Sequence, residues 1–140
     1  LNTSLSYFWL VSTSHKRQES GEISSANKIS PSGVLIIIRN ITTGSFCKRL
    51  GAPEGVVLEE PIFEISYKND DYGDPLINED HAVALKLCTR EEYNFIKQET
   101  LKINELLKEF FLSLNLKLVD FKIEFSTDLY PASISTPAFL

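Results

Sequence analysis

Residues 89–125 read TREEYNFIKQETLKINELLKEFFLSLNLKLVDFKIEF, and within them the hydrophobic period changes once. Thr89-Arg90-Glu91-Glu92 has the spacing of a capping box, in which a threonine and a glutamate three residues on each accept a backbone N–H. Tyr93, Ile96, Thr100, Ile103, Leu107, Phe110 and Leu114 then follow at steps of 3 and 4. That spacing predicts a long helix whose apolar stripe must pack on something. Asn115 suits its C-cap. From Leu116 to Phe125 the period becomes two, which predicts a strand. Val119, Phe121, Ile123 and Phe125 lie on one face of it, and Asp120, Lys122 and Glu124 on the other.

Val34 to Ile41 is apolar and β-branched apart from Arg39 and Asn40, the pattern of a buried strand. Ile62 to Tyr67 (IFEISY) alternates and reads as a second strand. Asn69 to Pro75 (NDDYGDP) is dense with turn residues and predicts a loop. Asp80 to Leu87 reads as a short helix. Strand, strand, loop, helices and strand in this order predict an α+β domain over residues 34–125. Residues 1–10 form a short apolar segment resembling a helix end. Seven of the 23 residues in 11–33 are serine, too few of the rest being apolar to offset ordering entropy, so 1–33 reads largely as loop. Residues 126–140 carry no continuing pattern and read as a loose tail.

Composition narrows the function classes. The 140 residues carry a net charge of −5, so binding nucleic acid through a generally basic surface is excluded. Cys47 and Cys88 are far apart and there are two histidines, which indicates neither a zinc site nor a disulfide framework. Two isolated thiols fit a reducing, cytoplasmic location. The longest apolar runs, Tyr7 to Val11 and Val34 to Ile38, fall far short of the roughly 20 residues of a membrane helix. The chain begins at Leu1, has no signal-peptide pattern, and reads as a soluble piece of something longer.

Three segments hold candidate chemistry. Asp120, Lys122 and Glu124 stand about 6.6 Å apart along one strand face. Carboxylates can ligate a magnesium ion while the lysine binds a phosphate as a point charge; a solvated strand face shows the same alternation. Arg39-Asn40-Ile41-Thr42-Thr43-Gly44-Ser45 followed by Lys48-Arg49 can surround a phosphate with N–H, hydroxyl and guanidinium donors, or form a polar turn with an exposed basic pair. Asp74, Asn78, Glu79 and Asp80 gather on one loop, where a carboxylate such as Asp80 reads by default as a helix cap. His81 reads as structural, and both cysteines as packing residues.

In this order, IIIRNITTGSFCKRLG (36–51), YKNDDYGDPLINEDH (67–81) and LVDFKIEF (118–125) resemble the SAICAR synthetase family of purine biosynthesis. The helix TREEYNFIKQETLKINELLKEFF is similar to the family's as well. The resemblance covers residues 34–125 and implies part of that fold, antiparallel strands with one long packing helix. It implies a ligase that uses ATP and magnesium to activate the carboxylate of CAIR, a carboxylated aminoimidazole ribonucleotide, for attack by the amine of L-aspartate. It places Arg39, Ser45 and Arg49 at the CAIR 5′-phosphate, and Asp80, Asp120 and Lys122 near the imidazole and its reacting carboxylate. Lys122 and Asp120 are the expected catalytic residues, and Glu124 the ligand of nucleotide-bound magnesium. The expected partners are these small molecules, with neither nucleic acid nor membrane, and with room for a homo-oligomer.

The chain also departs from the family. Gly33-Val34-Leu35 stands where the family has Pro-Leu-Glu, and Ser126 where it has a glycine. The family's glycine- and lysine-containing ATP hairpin and its later acidic strand have no counterpart in the 140 residues. The chain therefore reads as an incomplete or altered-flank member. By itself it is expected to be inactive, the alternative reading being a fragment with at most weak ribonucleotide-phosphate binding.

Overall fold

The computed structural model describes residues 33–125 and 131–139. The expectations for residues 1–32, and for the remainder of the tail, lie outside the described residues. Among the described residues five strands form one antiparallel sheet. In chain order these are β1 (Val34–Ile41), β2 (Val57–Tyr67), β3 (Leu76–Ile77), β4 (Leu118–Phe125) and β5 (Pro131–Phe139), arranged in space as β3-β2-β1-β4-β5. Among the described residues three α-helices accompany them: α1 (Gly44–Leu50), α2 (Glu79–Ala84) and α3 (Arg90–Ser113).

The near-continuous apolar run of β1 makes it the central strand, flanked by β2 and β4 and buried along almost its whole length. The pairing Ile36↔Ile123, Ile38↔Phe121 and Ile36↔Ile65 puts these side chains on one face of the sheet. There α3 covers them, and Ile96 and Ile103 join Phe121, Ile123 and Phe125 in the core. Asn40 points the same way, and its amide exchanges two 2.8 Å hydrogen bonds with that of Asn104 on α3. Both amides are buried and each satisfies the other.

The capping box on α3 forms as expected, with Glu92 N–H donating to Thr89 Oγ1 and Thr89 N–H to Glu92 Oε2. Thr89→Ala is therefore expected to cost about 1 kcal/mol. Circular dichroism should show a thermal midpoint lower by about 4 °C. At the other end Leu114 is the cap and Asn115 follows in the left-handed region (φ 60), with Asn115 and Leu116 N–H donating to Leu112 and Phe111 C=O. The expected stripe packs through Ile96, Thr100 and Ile103, but Phe110 and Leu114 turn out toward solvent while Asn104 and Phe111 turn in. A strict 3.5-residue repeat drifts about 20° per heptad around a straight helix, so the packed line passes to the next residue.

Four local expectations differ. Thr42 to Ser45, expected as a turn, leads into the helix α1, which is too short for a period to stand out. The second strand begins at Val57 rather than Ile62, because Glu59, Glu60 and Pro61 interrupt its alternation beyond the bulge between Arg39 and Ile41. α2 ends at Ala84 and its cap is Asn78 rather than Asp80, with His81 completing a capping box. Residues 131–139, expected within the loose tail, pair with β4 as an edge strand, the position where prolines are tolerated. Among the described residues no helix is long and apolar enough to cross a membrane.

Candidate functional site

The face of the sheet opposite α3 is polar. Residues directly opposite in an antiparallel pair share a face, so Arg39↔Asp120, Ile37↔Lys122, Leu35↔Glu124 and Ile37↔Glu64 bring Arg39, Glu64, Asp120, Lys122 and Glu124 to one side. Phe121, Ile123 and Phe125 point the other way, as the alternation requires. Helix α1 follows β1 directly and presents Ser45 and Arg49, one turn apart, to the same group.

Arg39 is the centre of this arrangement, with its side chain only 7% exposed. Its Nε donates to Glu64 Oε2 at 2.9 Å, one terminal nitrogen to Asp120 Oδ2 at 3.4 Å, and the other to Ser45 Oγ at 3.1 Å. The Phe46 ring lies 5.9 Å from the guanidinium carbon, within cation–π range. A guanidinium has five N–H donors, and three of those on Arg39 are engaged among the described residues. Arg49 joins through Glu64, donating to its Oε1 at 2.6 Å.

Farther along β4 the charges pair differently. Glu124 accepts from Lys68 Nζ at 2.8 Å. That bond, helped by Asp74 and Asp70, holds the Lys68 ammonium above its ordinary pKa against the opposing effect of burial. Lys122 between them is exposed and has no ion pair among the described residues. Asp120 and Glu124 are about 13 Å apart along the strand, too far to share one ion. Among the described residues no group of three His, Cys, Asp or Glu side chains could hold a metal. A single carboxylate such as Glu124 could serve only a magnesium ion carried chiefly by substrate phosphates and water.

Asp80 has a different partner. It is exposed at the start of α2, where Arg90 holds it at 2.6 Å and Glu79 at 2.9 Å, and no hydrogen bond among the described residues joins it to Arg39 or Asp120. Burial, with Glu92 and Glu79 nearby, pushes the Cys88 thiol up, which keeps it protonated and unreactive. Sequence reasoning missed Glu64 and Lys68. Glu64 is the lone acid in IFEISY, and only the pairing of β2 with β1 reveals what it faces.

A family model described as SAICAR synthetase matches residues 1–132, including residues 1–33, which lie outside the three motifs quoted above. The phosphoribosylaminoimidazole-succinocarboxamide synthase of Finegoldia magna is 69% identical over 90 residues, which cover 64% of this chain and 39% of that protein. A solved structure of the synthase of that name from Ehrlichia chaffeensis has a TM-score of 0.66 at 40% identity, covering 67% of this chain and 40% of that one. A SAICAR synthetase in complex with ADP has a TM-score of 0.67 at 38% identity, covering 76% and 46%. The chain thus spans less than half the length of these relatives.

Proposed function

This chain belongs to the SAICAR synthetase family, and on that premise we propose that its polar sheet face is the substrate centre of a phosphoribosylaminoimidazole-succinocarboxamide synthase. The reaction joins CAIR and L-aspartate. ATP transfers its terminal phosphoryl group to a CAIR carboxylate oxygen; the aspartate amine then attacks the carbonyl carbon, loses a proton and expels phosphate. The observation that carries this reading is Arg39, buried at the centre of the sheet and fixed to Ser45, beside an open row of Asp120, Lys122 and Glu124. A guanidinium and a hydroxyl so fixed suit a ribonucleotide 5′-phosphate, with Arg49 as a second cation.

In this reading Lys122 is the mobile cation that meets the reacting carboxylate and stabilises the charge that develops as the acyl phosphate forms. Asp120, oriented by Arg39, accepts a hydrogen bond from the imidazole substituent. Magnesium bound to the nucleotide would neutralise the transferred phosphoryl group, with Glu124 as its protein ligand once Lys68 gives way. The ADP complex of the 38% identical relative supports a nucleotide as co-substrate. Asp80, held by Arg90, has no part in this reading. The two unpaired cysteines agree with a cytoplasmic setting.

The test is a chimera in which the 90 residues of this chain that match the Finegoldia magna synthase replace their counterpart in it. It is expected to release ADP only when CAIR and aspartate are both present. Lys122→Ala in the chimera should reduce kcat by about 10²–10³, as does removal of one transition-state donor. A folded chimera without such turnover would refute the assignment.

A further inference from the structure

We infer that Glu64 is a positioning residue that aims Arg49 at the phosphate subsite of Arg39 and Ser45; the inference rests on the phosphate reading given above. Its two carboxylate oxygens are spent on two different guanidinium groups, Oε2 on Arg39 Nε and Oε1 on Arg49. The three side chains form a gradient of burial, 7% exposed for Arg39, 14% for Glu64 and 39% for Arg49. Arg39 needs no help from Glu64 to stay in place, since Ser45, Asp120 and the Phe46 ring also hold it. Arg49 does: Glu64 is its one ion-pair partner among the described residues, and its stem leaves a seven-residue helix into solvent. Glu64 therefore passes the rigidity of the sheet centre to a side chain that would otherwise sample many rotamers. Ser45 and Arg49 share one face of α1, so the restraint directs the second cation to where the hydroxyl of Ser45 already meets the first.

A bystander role makes the opposite prediction. A carboxylate lying between two guanidinium groups weakens their pull on an anion, so a Glu64 that did not position Arg49 would oppose phosphate binding, and its neutralisation would tighten it. A positioning Glu64 lowers the ordering cost of Arg49 on binding, and its neutralisation loosens binding instead. The sign separates the two.

The experiment titrates the full chain with ribose 5-phosphate and with ribose, following amide shifts by NMR. Glu64→Gln keeps the side-chain volume and is expected to weaken ribose 5-phosphate binding about three- to tenfold while leaving ribose unchanged. In the Arg49→Ala background the same change should add less than a twofold loss, because the residue through which Glu64 acts is gone. Glu64→Ala, if it folds, should match or exceed Glu64→Gln. Unchanged or tighter binding by Glu64→Gln would overturn this inference alone, provided that Ser45→Ala still weakens binding about tenfold. Absence of binding by the wild-type chain, or insensitivity to Ser45→Ala, would overturn the phosphate reading beneath it.

Discussion

The Arg39→Ala chain is expected to be less stable than wild type by about 3 kcal/mol or more, the usual cost of breaking a buried ion pair from one side. Arg39 is buried, and its removal leaves Asp120 and Glu64 facing each other across the central strand without the cation that separates them. Arg49 still reaches Glu64, which keeps the loss toward the lower end of the range. Urea denaturation should show the midpoint falling by about 1–2 M. Arg39→Lys should recover little, because one ammonium cannot replace a fork that meets Glu64, Asp120 and Ser45 together. Replacing Arg39, Glu64 and Asp120 all by leucine should restore much of the stability, since the loss comes from stranded charges. A shift of less than about 0.5 kcal/mol for Arg39→Ala would show that these groups are solvated rather than held together. The expected loss is also why Ser45 and Glu64 are the better positions for probing phosphate.

Phe121→Ala is expected to cost about 3–5 kcal/mol, and Lys122→Ala, one residue on, less than about 0.5 kcal/mol. Phe121 is 1% exposed, lies opposite Ile38 and sits beneath α3, so its ring leaves a cavity that the sheet cannot close. Lys122 lies on the far face and touches none of that core. Thermal unfolding of the two variants side by side is the check. A one-residue slip of β4 against β1 would exchange the two faces, and the two effects with them. Comparable losses at both positions would overturn the register on which the candidate site depends.

Much of this was legible from local pattern. The capping box at Thr89, the helix behind it, the alternation of β4 and the apolar run of β1 each announce themselves within a few residues, because burial on one face imposes a period. Both polar residues of β1 stood out in its apolar run, and both proved to be anchors: Arg39 toward the open face, Asn40 toward α3. The motifs that carry the family resemblance are of the same kind, short and contiguous. Helix α1 was missed because its seven residues span fewer than two turns, too few for an apolar repeat to stand out. β5 was missed because an edge strand borrows its hydrogen bonds from a neighbour and needs no pattern of its own.

Local pattern alone was enough for β1, β4 and α3, for the two faces of β4 and for the candidate residues along β1, α1 and β4. Tertiary structure decided which of those residues meet. Arg39 lies 25 positions before Glu64 and 81 before Asp120 in the chain, and only the order β2-β1-β4 makes them neighbours. The same strand order joined Glu64 to the site and gave Glu124 to Lys68, while the meeting of α2 with α3 gave Asp80 to Arg90. Periodicity records which side of an element is buried, a local property of the chain. Partnership across strands depends on sheet order and register, which the closing of long loops and the packing of α3 against the sheet select together.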